Sequence, residues 1–214
     1  MLVAMGIPDH GPVPAAILLT GGGSRRMGFD KAAIDVAGTP SAVHIARQLL
    51  QVVGTAVEVG PGRSGLRAVR EEPPGSGPLA AMVAGARALR ASGHEGPALV
   101  VACDLPGLTV EALTMLAWWP GEASVVPVVD GRPQPLCARW SAGALRRAEG
   151  LVAEGERSMR AVLASPGRGG LELAGPDRWP TGVTDAAFAD ADTPEDLERL
   201  GLGRREVPPA ARSR

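Results

Sequence analysis

Short, uninterrupted apolar runs recur along this chain, and most are followed by a stretch with helical spacing. The clearest are "AAILLT" at residues 15–20 and "PALVVAC" at 97–103. Runs of this length without polar alternation suit strands buried on both faces, which occur where helices cover both sides of a parallel sheet. Further strands are expected at 56–59, 66–70, 124–129, 134–140, 169–174 and 186–189. Between them, helical spacing marks 40–52 with Ser41 near its start, 77–90 opened by Gly77-Pro78, and 109–118 capped by Thr109. Three more helices are expected at 141–153, 157–164 and 194–200. This order predicts an α/β fold: a single-domain three-layer α/β/α architecture with a mostly parallel, Rossmann-like sheet and ligands at the carboxyl ends of the strands. With no internal repeat and no low-complexity linker, one domain over residues 14–202 is the economical reading. Residues 1–13 and 203–214 are expected to be loosely ordered.

A chain of 214 residues that is 45% hydrophobic can bury a full core. Its formal net charge of -1 means that any anion site must be local, so duplex nucleic acid is not an expected partner. Aromatic residues make up 3% and Tyr is absent, which argues against base-stacking platforms. No apolar run reaches the roughly 18 residues of a membrane span, and no signal peptide is evident, so a cytoplasmic protein without a membrane partner is expected. Cys103 and Cys137 lack CxxC spacing and read as small core hydrophobes. His10, His44 and His94 have no acidic partner at a telling spacing.

Directly after the first strand comes "LLTGGGSRRMGFDKA", residues 18–32, with Gly21, Gly22, Gly23 and Gly28 among Arg25, Arg26 and Lys31. Several glycines let a backbone approach a bulky anion closely, and the cationic side chains complete a phosphate cradle. A Walker A loop is excluded, because Gly28 is followed by Phe29 and Lys31 is displaced. A dinucleotide GxGxxG is excluded too, since Arg26 stands where the third glycine belongs. Arg26 and Lys31 lie five residues apart across a glycine, so one cation can reach each end of a triphosphate. The plainer alternative is a solvated basic turn.

Asp104 follows the strand at 97–103 at once. There it can hold a divalent cation that bridges phosphate oxygens, or serve as a turn or N-cap residue. Asp192, before Thr193-Pro194-Glu195, reads first as a capping residue and second as a metal carboxylate.

The loop resembles the signature Leu-Ala-Gly-Gly-x-Ser-x-Arg-Met-Gly-x-Asp-Lys of the molybdenum cofactor guanylyltransferases, within the larger nucleotidyltransferase family. "GPLAAM" at 77–82, "VVACDLP", "DGRPQPLCARW", "GERSMRAVL" and "DADTPEDL" resemble further landmarks of that family in the same order, and together they cover nearly the whole chain. Thr20 stands where alanine is usual, Ala81 where glycine is usual, Glu72 where an aspartate is common, and Asp192 where several members carry asparagine.

The resemblance implies a nucleotidyltransferase fold and transfer of GMP from GTP to the terminal phosphate of molybdopterin. It implies nucleotide contacts by Leu19, Gly21, Gly22, Gly23, Glu72, Gly77, Pro78 and Leu79, and phosphate contacts by Arg26 and Lys31. Asp104 would bind Mg²⁺, so that Arg26, Lys31 and Asp104 form the catalytic set. Gln134, Leu136 and Arg157 would face the pterin. The same resemblance implies transient contact with other proteins of cofactor biosynthesis. Two further readings stand beside it. One is a nucleotidyltransferase of other specificity, acting in cytidylyl transfer to molybdopterin or in sugar-phosphate or phospholactate activation. The other is a nucleotide-binding partner protein without turnover.

Overall fold

The structure is a computed structural model, and it describes residues 13–21, 31–191, 193–200 and 202–204. In chain order the strands are β1 (Ala15–Leu19), β2 (Ile34–Val36), β3 (Thr39–Pro40), β4 (Ala56–Val59), β5 (Arg67–Val69) and β6 (Ala98–Ala102). They continue as β7 (Ser124–Val129), β8 (Arg132–Pro133), β9 (Cys137–Trp140), β10 (Leu171–Ala174) and β11 (Gly203–Arg204). The helices are α1 (Ser41–Val52), α2 (Pro78–Ala91), α3 (Val110–Ala117), α4 (Ala142–Ala153), α5 (Met159–Ala164) and α6 (Pro194–Arg199).

The main sheet runs β10-β7-β9-β6-β1-β4-β5, with β8 paired to β7. Along that path only β9 is reversed, pairing antiparallel with both β6 and β7. The mostly parallel α/β expectation therefore holds. In β1 every residue is buried, because successive side chains face opposite layers. Ala16 and Leu18 enter the core beneath α1 and α3, whereas Ile17 and Leu19 enter the core beneath α2, α4 and α5. Helix α2 lies close against β1 because Gly85 has no side chain: a Cβ there would stand 2.4 Å from Ile17 Cγ2. A smaller sheet, β11-β2-β3, packs Ile34 and Val36 against Ala191 and Leu197.

Local chemistry explains most of the helix starts. Thr109, Ser141 and Ser158 accept N-terminal amide hydrogens of α3, α4 and α5, and Thr193 forms a capping box with Asp196 at α6. Pro78 begins α2, where its missing N–H costs nothing.

Two expectations are corrected. Residues 186–189 form no strand; Asp185–Phe188 is a 3-10 turn. Ala187 and Phe188 are adjacent and both enter the same core cluster, which an extended chain with alternating side chains does not allow. The strand expected at 134–140 starts only at Cys137, whose amide closes a turn onto the Gln134 carbonyl at 3.0 Å. Pro135 has no amide hydrogen to give a central ladder. Next to Leu202, Gly203 and Arg204 pair with Asp35 and Ile34.

Candidate active site

The carboxyl ends of β1, β4 and β6 border a cleft of about 500 Å³, closed on another side by the start of α2. Its position is the one that a parallel sheet with helices on both faces provides for ligands. Leu19, Thr20 and Gly21 line it from β1, Gly60 and Pro61 from β4, and Cys103 and Asp104 from β6. Gly77 and Pro78 border it at the N-terminus of α2, a place where backbone dipoles favour an anionic ligand.

Asp104 is fixed through its backbone neighbourhood. The Cys103 amide donates to the Leu19 carbonyl at 3.0 Å, and the Ser41 hydroxyl at the start of α1 donates to the Cys103 carbonyl at 2.6 Å. The Ala191 amide donates to the Asp104 carbonyl at 2.9 Å, which ties the C-terminal segment to the same loop. Lys31 Nζ donates to Asp104 Oδ2 at 2.8 Å. Both side chains keep about one fifth of their surface exposed (21% and 20%), so water and ligands can reach the pair.

The sequence-derived residues divide as follows. Leu19, Gly21, Lys31, Gly77, Pro78 and Asp104 gather around the cleft. Glu72 is exposed and does not line it; its neighbours Arg70 and Glu71 do, with Glu71 held by the Gly75 amide at 2.9 Å. Leu79 is completely buried in the core behind the cleft wall. Leu136 lines the cleft. Gly77, at φ +95°, is favoured by its conformation, and the Arg157 carbonyl, 3.3 Å from where a Cβ would stand, leaves that Cβ a tight fit. Gly22, Gly23, Arg26 and Asp192 lie outside the described residues.

One residue with no role in the sequence reading is prominent here. Glu58, on β4, is wholly buried between β1 and β5. Its carboxylate accepts hydrogen bonds from the hydroxyls of Thr20 and Ser64 and from the amides of Gly62, Arg63 and Ser64, the three amides at 2.7–2.8 Å. Burial alone would raise its pKa, but the hydrogen bonds from Ser64, Thr20 and the Arg63 and Ser64 amides outweigh burial and hold the carboxyl below its ordinary value. The signal available in the sequence was a lone acid inside the apolar "AVEV", followed by Gly-Pro-Gly.

The cysteines behave as expected for core residues, both being buried. The Cys137 thiol is pushed up to about 12 by burial and by the nearby Asp104 carboxylate.

A cleft at the strand ends, with a carboxylate and a lysine beside a helix N-terminus, has the position and charge that suit a phosphate-bearing ligand in an α/β fold. The comparisons specify the family. Residues 16–170 match the model of the MobA-like NTP transferase domain, and the chain belongs to that family. It is a nucleotidyltransferase. It is 35% identical over 169 residues to a Mycobacterium bovis protein named "Probable molybdenum cofactor guanylyltransferase", covering 73% of this chain and 81% of that one. A Mycobacterium marinum protein of the same name is 36% identical over 164 residues, covering 71% and 79%. The fold is shared with the crystal structure of molybdopterin-guanine dinucleotide biosynthesis protein A from Archaeoglobus fulgidus (TM-score 0.69, 22% identity, 86% of this chain and 95% of that one). Among the described residues, no helix is long and apolar enough to cross a membrane.

Proposed function

We propose that this protein transfers GMP from GTP to the terminal phosphate of molybdopterin and releases pyrophosphate. The carrying observation is the Lys31–Asp104 pair in the cleft beside Gly77 and Pro78, in a chain whose relatives bear the guanylyltransferase name.

The reaction is an in-line displacement: an acceptor phosphate oxygen attacks the α-phosphorus of GTP, and the bond to the β-phosphate oxygen breaks. Such transfers depend mostly on positioning and on charge neutralisation. No general base is needed, because a phosphate monoester is already anionic near neutral pH. Lys31 would stabilise charge developing on the pyrophosphate, with Arg26, Gly22 and Gly23 of the glycine loop completing the phosphate cradle. The wall formed by Leu19, Gly21, Gly77 and Pro78 would hold the nucleoside, while Leu136, Gln134 and Arg157 would face the pterin.

Asp104 fits Mg²⁺. It offers hard oxygen donors on a tethered backbone, and Mg²⁺ is usually held by one or two carboxylates completed by substrate phosphate and water. When bound, the ion would neutralise charge on the phosphate oxygens. A cytoplasmic setting and brief contact with other proteins of cofactor biosynthesis complete this reading.

A second reading, cytidylyl transfer to the same acceptor, turns on Thr20 and Ala81. Both line the cleft where the family pattern carries smaller residues. Thermal-shift titration with GTP, CTP, ATP and UTP plus Mg²⁺ separates the two readings. A nucleotide at about 100 times its Kd adds roughly 2.7 kcal/mol of stability, enough to rank the bases.

A further inference from the structure

The Glu58 carboxylate fills a concavity made by three successive backbone amides, those of Gly62, Arg63 and Ser64. Curled amides of this kind ordinarily bind an anion from outside. Here the anion belongs to the chain itself, and it also holds the Thr20 hydroxyl. Thr20 and Gly21 open the glycine loop, and their amides both donate to the Val59 carbonyl, at 3.0 and 3.2 Å. Gly60 is in contact with them: a Cβ there would lie 2.1 Å from Thr20 Oγ1 and 2.8 Å from the Gly21 amide nitrogen. Thr20, Gly21, Gly60 and Pro61 all line the cleft.

We propose that Glu58 is a positioning residue for the nucleotide, acting through Thr20 to lock the start of the glycine loop to the 60–64 loop as one rigid wall. The inference rests on the reading of this cleft as the nucleotide site. A charge-assisted hydrogen bond between two loops removes freedom that the ligand would otherwise have to freeze on binding. The clamp therefore acts on affinity and leaves the transfer step alone. Glu58 touches no reacting atom.

Thr20→Val tests this while leaving Glu58 four of its five donors, so the domain keeps its buried carboxylate satisfied. The parent is first titrated with four Mg²⁺-nucleoside triphosphates, and the tightest binder is then used on the variants. KM for that nucleotide should rise roughly tenfold with kcat within twofold, the size of effect that one hydrogen bond to a charged group produces. Thr20→Ser should restore parental KM. A parental KM in Thr20→Val, or a fall in kcat at unchanged KM, would overturn the clamp. The guanine reading fails separately, if the parent prefers another base. Glu58→Gln provides a second variant, expected to raise KM in the same direction, and the Thr20 pair decides the matter if that protein does not fold.

Discussion

Lys31 and Asp104, 73 residues apart in sequence, meet at 2.8 Å between Nζ and Oδ2 at the mouth of the cleft. Each neutralises the other's charge, and because both remain partly exposed the pair adds little to stability. Its value lies in placement. The two groups that a triphosphate and its cation would engage are already side by side.

Lys31→Ala should therefore lower turnover by about 10²–10³-fold, the effect of removing one donor aimed at developing charge. The melting temperature should move little. Steady-state kinetics with a parallel thermal melt checks both, and near-normal kcat would remove Lys31 from the phosphate site.

Asp104→Asn preserves shape and discards charge. If Asp104 were only a turn residue, the amide would serve as well, at a cost of at most about 1 kcal/mol. As the proposed Mg²⁺ carboxylate, its loss should collapse turnover and weaken the Mg²⁺-dependent part of GTP binding. Isothermal titration with GTP, with and without Mg²⁺, reads the difference directly.

Glu58 makes stability depend on pH with a definite sign. Its folded-state pKa lies below the ordinary 4.5, so the folded form holds its proton less tightly than the unfolded chain does. The stabilisation is present above that ordinary value and is lost as pH falls through the folded value. Urea midpoints between pH 7 and pH 3 should fall more steeply for the parent than for Glu58→Gln. At pH 7 the variant should be less stable by at least about 2 kcal/mol, because donors that served a carboxylate lose it.

Gly85→Ala introduces a methyl group into the 2.4 Å approach between α2 and Ile17. Overpacking of this kind costs about 1–3 kcal/mol. Since α2 carries Gly77 and Pro78 to the cleft, nucleotide affinity should drop along with the melting temperature.

Cys137, with its thiol pushed up to about 12 and no exposed surface to speak of, should resist a thiol reagent at pH 8 until the protein unfolds. Rapid labelling of the native chain at Cys137 would contradict the packing described for β9.

The sheet was legible because its central strands are continuous apolar runs; "AAILL" and "ALVVA" have no other comfortable place than between two helical layers. The cap residue Thr109 was legible because its hydroxyl can take a helix-start amide wherever the helix lies. The β2–β3 and β7–β8 hairpins were not. Each turns on one left-handed non-glycine residue followed by a left-handed glycine: Ala37 then Gly38, and Asp130 then Gly131. Asp-Gly advertises such a turn, but Ala-Gly does not. Asp104 could be picked out because it ends a strand. Its pairing with Lys31 depends on how the chain returns from the glycine loop, which spacing does not encode. Glu58 escaped because most of its partners are backbone amides, and these acquire their direction only when residues 62–64 curl around it.

The most direct test of the proposed activity is the reaction itself. Purified protein is incubated with molybdopterin, Mg²⁺ and either GTP or CTP, and the dinucleotide product and pyrophosphate are quantified together. The account predicts molybdopterin guanine dinucleotide and pyrophosphate in equal amounts from GTP, with CTP giving far less of its counterpart. Product from CTP at an equal or higher rate, or no dinucleotide from GTP while the protein remains folded, would contradict it.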